Sequence, residues 1–527
     1  MRFCRFAAAC CLIVFLSFIS RPADGAQSGP VALTPAGGSP GAGQKAASPP
    51  GSYQVAQAAQ GLGEGLEGAW RRLVEMLTPQ PGPVGDPLLA AGRWFEERFQ
   101  LVRFNVEGVF TVSEFQTGSK AGPLEGGRFS GVFAPGLRLT EDTGLVFVYN
   151  GAWNRELQVF TEDEGPRQRS EEQRHELILL LSQDYQKPFG GIIPFLSRLT
   201  VSPSVFQTYV FTRQTAAEDW GNGNPLGGVQ KFRGLYDYWD RGVGLEVKLT
   251  HDGGGERRDT LSLASQAYLR HYRNFVSLAH ILNPGTFEPK FEKDYFGVLA
   301  RAIFEHQNPE GLSLRLGWTH LNRRFTEDRA DENPLIEAGQ LLTGELRRDV
   351  TNTFEWRATH PIAFVRGLTV GLGGNVSYNR SNAGFNDTLA PLSAVGAFTE
   401  HYYDYWSFGV SPEASLTRPV SFQLFGLGVR GLLTLGANYS FDRRAYRDRK
   451  AKDKDGGFRD GGVGDKDATE VDYLHIISPR LIFQFHKNWV FLLEAKRTIA
   501  RSNFEDERTF RYNYDINSIG VGVQYRF

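Results

Sequence analysis

The stretch Ser518-Ile519-Gly520-Val521-Gly522-Val523-Gln524-Tyr525-Arg526-Phe527 decides how the chain is read. Ile519, Val521, Val523, Tyr525 and Phe527 alternate with small or polar residues. Side chains of a β-strand point to opposite faces with a period of two, so one face is apolar and ends in aromatics while the other is small and polar. About ten residues suffice for a tilted strand to cross a bilayer. Apolar-out, polar-in alternation over that length is the pattern of a transmembrane barrel strand.

The same pattern recurs upstream. Val243, Leu245, Val247 and Leu249 oppose Gly244, Glu246 and Lys248; Leu314, Leu316 and Trp318 oppose Arg315 and Thr319. Phe354 and Trp356 oppose Glu355 and Arg357; Leu368, Val370, Leu372 and Val376 oppose Thr369, Gly371, Gly373 and Asn375; Leu481 and Phe483 oppose Arg480 and Gln484. An Arg or Lys facing lipid at mid-membrane costs about 2–4 kcal/mol. Several such penalties would exceed the net stability of a typical domain, so the polar face must look inward.

From about residue 101 the chain predicts about sixteen strands (fourteen to eighteen): near 102–116, 127–140, 143–161, 173–185, 197–213, 239–251, 259–272, 293–306, 311–325, 347–359, 366–380, 401–417, 421–442, 470–486, 488–502 and 510–527. Short connections (141–142, 251–258, 308–310, 418–420, 487) alternate with long ones (162–172, 214–238, 274–292, 327–346, 381–400, 443–469). The link at 186–196 is long for its place in this order. Outer-membrane barrels join strands by short periplasmic turns and longer outer loops. An even strand number then places both ends of the barrel in the periplasm. The expected fold is an all-β transmembrane antiparallel barrel over residues 101–527.

Before the barrel, residues 1–25 read as a signal peptide: Arg2 and Arg5, an apolar run over 6–19, then Ala23-Asp24-Gly25. The apolar run is shorter than the roughly 20 residues a spanning helix needs. Ala9-Cys10 would suit a lipoprotein signal less well, because it falls before the apolar run is complete. All three cysteines (Cys4, Cys10, Cys11) lie here, so the mature chain is expected to have neither disulfide nor thiolate metal site. Residues 26–58 are rich in Gly, Pro, Ala, Ser and Gln and read as a disordered linker. Over 59–100 a short amphipathic helix (Leu62, Leu66, Trp70, Leu73, Leu77) and a connector are expected, the helix offering a contact for a periplasmic partner. The net charge of −1 gives no sign of a nucleic-acid partner.

The candidate lumen-lining residues are Glu246, Lys248, Arg315, Glu355, Arg357, Arg480, Gln484, Glu494, Lys496, Gln524 and Arg526. Facing water, mixed charges of this kind filter solutes; paired across strands, they only stiffen the wall. Asp453 and Asp455 sit in a charged loop resembling a calcium loop that lacks its fifth and twelfth ligands, so it offers a weak cation site and no metal is assigned. Gly426 to Gly431 matches G-x-G-x-x-G inside a strand, with no helix N-terminus to hold a phosphate. No His is followed by Ser two residues on, the spacing that would put both on one strand face, and there is no His-Glu-x-x-His. No catalytic residue and no cofactor is expected.

The ending, with Ile519, Val521, Val523, Tyr525 and Phe527, resembles the closing strand of Gram-negative outer-membrane proteins, which implies recognition by the barrel-assembly machinery and contact with outer-membrane lipid. Over 511–527 it is also similar to barrels that often follow tetratricopeptide repeats, some associated with surface or polymer export; no 34-residue helical repeat precedes the barrel here. The expectation is an outer-membrane pore for a polar solute or polymer. The alternatives are a surface-structural, adhesive or receptor barrel acting through its long outer loops, and, more remotely, an outer-membrane enzyme.

Overall fold

The computed structural model describes residues 98–117, 120–158, 168–186, 196–214, 236–253, 257–275, 293–329, 345–386, 398–399, 401–424, 427–452, 468–505 and 513–526. The expected signal peptide, linker and helix, and the loop holding Asp453 and Asp455, lie outside the described residues.

Sixteen strands form one closed antiparallel barrel: β1 (Phe99–Thr117), β2 (Lys120–Arg138), β3 (Thr143–Gln158), β4 (Gln168–Gln186), β5 (Arg198–Gln214), β6 (Tyr238–Asp252), β7 (Arg258–Tyr272), β8 (Tyr295–Gln307), β9 (Ser313–Arg329), β10 (Leu346–Pro361), β11 (Leu368–Ser381), β14 (Tyr405–Leu424), β15 (Leu427–Lys450), β16 (Thr469–Gln484), β17 (Trp489–Ser502) and β18 (Tyr514–Arg526). Two short strands, β12 (Phe385–Asn386) and β13 (Phe398–Thr399), pair with each other in the connection from β11 to β14. Each barrel strand pairs with its neighbour in the chain, and β18 closes the ring on β1 from Asn105↔Arg526 to Gln116↔Asp515. Closure removes the open sheet edges that could not be solvated in lipid.

The two ends of the barrel differ. At one, the turns are tight apart from the 187–197 link between β4 and β5: Leu139 and Thr140 both donate to the Thr143 carbonyl, and Asn308 Oδ1 accepts from the Leu312 amide at 2.7 Å. Gly367 adopts φ +75° in the β10–β11 turn, where an added Cβ would lie 2.1 Å from the Thr417 carbonyl oxygen, so only glycine fits. At the other end the connections span 159–167, 215–237, 273–294, 330–345, 382–404, 451–468 and 503–513. Both ends of the barrel, Phe99 and Arg526, lie at the tight-turn end.

The connections depart from the sequence reading at two places. The β14–β15 turn does not fall at 418–420: those residues are paired (Arg418↔Leu433, Val420↔Gly431), and the hairpin runs on to Leu424↔Leu427. Pro419 sits within β14 because these two strands extend beyond their other neighbours, where no further ladder needs its N–H. The first long-end connection is only two residues, since β1 reaches Thr117 and β2 begins at Lys120. Pro479 lacks an N–H for the ladder, a reason to expect a bulge or an interruption of pairing; the pairing to β17 is interrupted at Ser478 and Pro479 without a bulge, the register being the same from Ile477↔Arg497 to Arg480↔Glu494.

Candidate functional site

The ion pairs identify the inner face. Arg128 on β2 makes a double contact with Glu494 on β17, at 2.6 and 3.0 Å. These strands are separated by β1 and β18, a span of about 14 Å at usual strand spacing. Side chains bridge that distance only across the concave side. Arg128, Glu494 and every residue sharing their face therefore point inward.

Directly opposed residues of an antiparallel pair share a face. Glu494 opposes Arg480 and Gly520, Lys496 opposes Ser518, and Val490 opposes Gln484. Gln524 opposes Glu107, and Arg526 opposes Asn105. Arg315 opposes both Arg357 and Glu305, while Glu355 opposes Gly317. Glu246 and Lys248 alternate with Leu245 and Val247. All eleven candidate residues lie on the inner face. The opposite parity carries the exposed apolar side chains, among them Phe110, Val243, Leu245, Trp318, Phe354, Leu372, Phe408, Leu493, Ile519, Val521 and Val523. Tyr525 sits at the tight-turn end of this belt, its ring edge-on to Trp489 at 4.9 Å and to Phe104 at 5.9 Å. At the other end Tyr378 packs on Trp406 at 4.4 Å. An apolar belt between two aromatic girdles, around a charged interior, is the arrangement lipid requires.

The chain is an antiparallel barrel of the outer-membrane type.

The inner wall of this barrel divides into paired and unpaired charges. Across the closure, Arg128 also contacts Glu107 at 3.1 Å, and Gln524 donates to Glu107 at 3.2 Å. Glu494 reaches Arg128 because β18 has a glycine beneath it: a Cβ on Gly520 would lie 3.0 Å from the Glu494 side chain. The same device recurs on the far wall. Arg357 reaches over β11 to Glu413, at 2.6 to 2.8 Å, and a Cβ on Gly371 would lie 2.5 Å from the Glu413 carboxylate. Glu305 and Arg315 stand 3.9 Å apart beside this pair.

Toward the long-connection end the inner wall becomes a lattice of arginines and aromatic rings. Arg270 donates to both oxygens of Asp240, at 2.7 and 2.8 Å, with its guanidinium 3.8 Å from the Tyr238 ring centre. Asp349, almost fully buried, receives Arg347 at 3.0 Å, Arg323 at 3.3 Å and the Ser381 hydroxyl at 2.6 Å. Arg347 stacks on Phe325 and Tyr403. Nothing in the strand pattern marked Glu107, Arg128, Glu413, Asp240 or Arg270 as partners, although period two on their own strands places them inward.

Among the described residues, no ion pair engages Glu246, Lys248, Arg301, Glu355, Arg480 or Lys496, and Arg480, Lys496, Arg301, Glu246 and Glu355 are exposed within the barrel. These charges are available to a solute.

No family model matches the chain, and no curated protein matches it. Solved structures similar to it include OprB of Pseudomonas putida (10% identity, 83% of this chain and 96% of that one, TM-score 0.39) and OccAB1 of Acinetobacter baumannii (10%, 81% and 96%, 0.36). A bacterial polysaccharide outer-membrane secretin is similar at 7% identity over 80% of this chain and 98% of that one, TM-score 0.35. The fold assignment stands on the strand order and closure described above, not on these distant likenesses.

Proposed function

We propose that the barrel is a channel of the bacterial outer membrane that passes polar solutes or a polar polymer, with its tight turns and both barrel ends in the periplasm. The observation that carries this reading is the inner wall: exposed, unpaired charges of both signs inside a closed ring whose outside is apolar. A barrel of sixteen strands is wide enough for an aqueous path. Charges lining such a path orient polar solutes and filter ions. The apolar strand face with Ile519, Val521, Val523 and Tyr525, followed by Phe527, would serve the barrel-assembly machinery as its insertion signal.

The test is conductance in a planar bilayer. Purified barrel should produce discrete, salt-dependent steps; an inserted, heat-modifiable barrel that stays silent would overturn the reading. A surface-structural or adhesive role draws support from the long connections at one end, and would be favoured by a silent barrel whose binding to cells disappears when 215–235 is deleted. We assign the barrel no catalytic role; lipid or glycan turnover by the purified protein would reverse that.

A further inference from the structure

The outer surface carries an arginine cluster that the channel reading does not use. Arg324 on β9, Arg348 on β10 and Arg380 on β11 lie on the lipid-facing parity, near the long-connection end, and all three are exposed. Arg324 and Arg348 are directly opposed; Arg380 opposes Val350 and so lies diagonal to Arg348. Opposed side chains of this kind have Cβ atoms about 5 Å apart and diagonal ones about 7–8 Å, so three like charges crowd one patch. Among the described residues none of the three is in an ion pair. The buried carboxylate of Asp404 attracts Arg380 but already accepts from the Ser381 amide at 2.5 Å and lies 3.9 Å from Arg447.

The patch borders a groove of about 730 Å³, lined by Leu346, Arg348, Val350, Asn352, Tyr378 and Arg380. Asn382 braces its upper edge, accepting from the Arg348 amide at 2.7 Å and donating to the Leu346 carbonyl at 3.1 Å. Glu345 also lines it, and with Arg324 alongside the net charge stays positive. One pleat below lies the Tyr378–Trp406 stack of the girdle, and below that the apolar Phe354, Leu372 and Val376. Arginines at this height are in the headgroup zone, where facing outward costs only about 0–1 kcal/mol. A second outer groove, of about 610 Å³ at Ala495, is built differently: its Arg497, and Arg501 nearby, both contact Asp515, at 3.5 and 2.7 Å, so each already has a carboxylate partner.

We infer that Arg324, Arg348 and Arg380 form a binding site for the phosphate of an anionic, phosphorylated lipid of the outer leaflet, whose acyl chains lie on the apolar belt below. Guanidinium groups recognise phosphate through paired N–H donors. The bound phosphate supplies the counter-charge that the opposed Arg324 and Arg348 lack and that Arg380 has only at a distance, from Asp404. The inference rests on the outer-membrane placement proposed above.

The test uses the full chain in neutral detergent, titrated with diphosphoryl lipid A or with phosphatidylcholine and read by native mass spectrometry. Lipid A should bind at least about tenfold more tightly than phosphatidylcholine, the triple variant R324Q/R348Q/R380Q should lose about that factor, and R497Q/R501Q should stay within about twofold of the parent. Equal binding by the triple variant, equal binding of phosphatidylcholine, or displacement of lipid A by micromolar inorganic phosphate would each overturn the site. If the triple variant does not fold, the single change Arg348→Gln decides: a loss of about threefold supports the site and unchanged binding rejects it. Failure of the membrane placement itself looks different, as a chain that folds without detergent.

Discussion

Glu494 shows how much one side chain depends on its neighbour's smallness. It lies across Gly520 to reach Arg128, which in turn holds Glu107. Arg128→Ala would leave two carboxylates facing each other with no cation between them. Arg128 is 41% exposed, so water screens the pair, and the expected loss is about 1 kcal/mol, measurable by urea unfolding in lipid vesicles. Asp404, in the turn before β14, behaves in the opposite sense. Burial raises its carboxyl above the ordinary range, against the pull of the Ser381 amide, His401, Arg447 and Arg380. One of its oxygens, Oδ2, is buried without a hydrogen-bond partner. A carboxylate whose folded pKa exceeds its unfolded one makes the fold less stable as pH rises above about 4, the unfolded value. Asp404→Asn keeps an acceptor for Ser381 and removes the charge. Its melting midpoint should match the parent's at pH 3 and exceed it at pH 8; a lower midpoint at pH 8 would show that the charge is stabilising.

Strand β16 tolerates a proline that a central strand should reject. Pro479 pairs with Ala437 of β15, while no partner on β17 is paired with Ser478 or Pro479. The missing N–H thus falls on the β17 side, where it opens the ladder without shifting its register. Pro479→Ala restores the donor and should stabilise the barrel by about 1 kcal/mol, the net worth of one hydrogen bond. Faster amide exchange at Ala495 and Lys496 in the parent than in the variant would locate the gain. The β14–β15 hairpin teaches the complementary lesson. Arg418-Pro419-Val420 has the composition of a turn, yet the strands run past it, because a hairpin longer than its neighbours has free edges on which proline costs little.

The barrel's filter belongs to the assembled ring. Among the described inward charges in no ion pair are four cations, Lys248, Arg301, Arg480 and Lys496, and two carboxylates, Glu246 and Glu355. Conductance should therefore favour anions slightly. Arg480→Gln with Lys496→Gln should lower the chloride-to-potassium permeability ratio by about twofold, read as a shift in reversal potential under a salt gradient. An unchanged ratio would mean that these side chains lie off the ion path.

What the sequence by itself determined was the alternation. Period two in strands such as β18, β11 and β6, with short and long connections in turn, yields the strand number, the antiparallel order and the identity of the inward face, because lipid penalises every misplaced charge by a similar local amount. Glu246, Arg357 and Arg526 could be placed inward on that ground alone. Only the tertiary structure decided which charges are spent on one another. Arg128 meets Glu494 across 366 positions of sequence, and Arg357 meets Glu413 over an intervening strand, through glycines whose role is visible only once the strands are neighbours. Pairing depends on register and closure, which are properties of the whole ring, whereas the facing of a side chain is settled within its own strand.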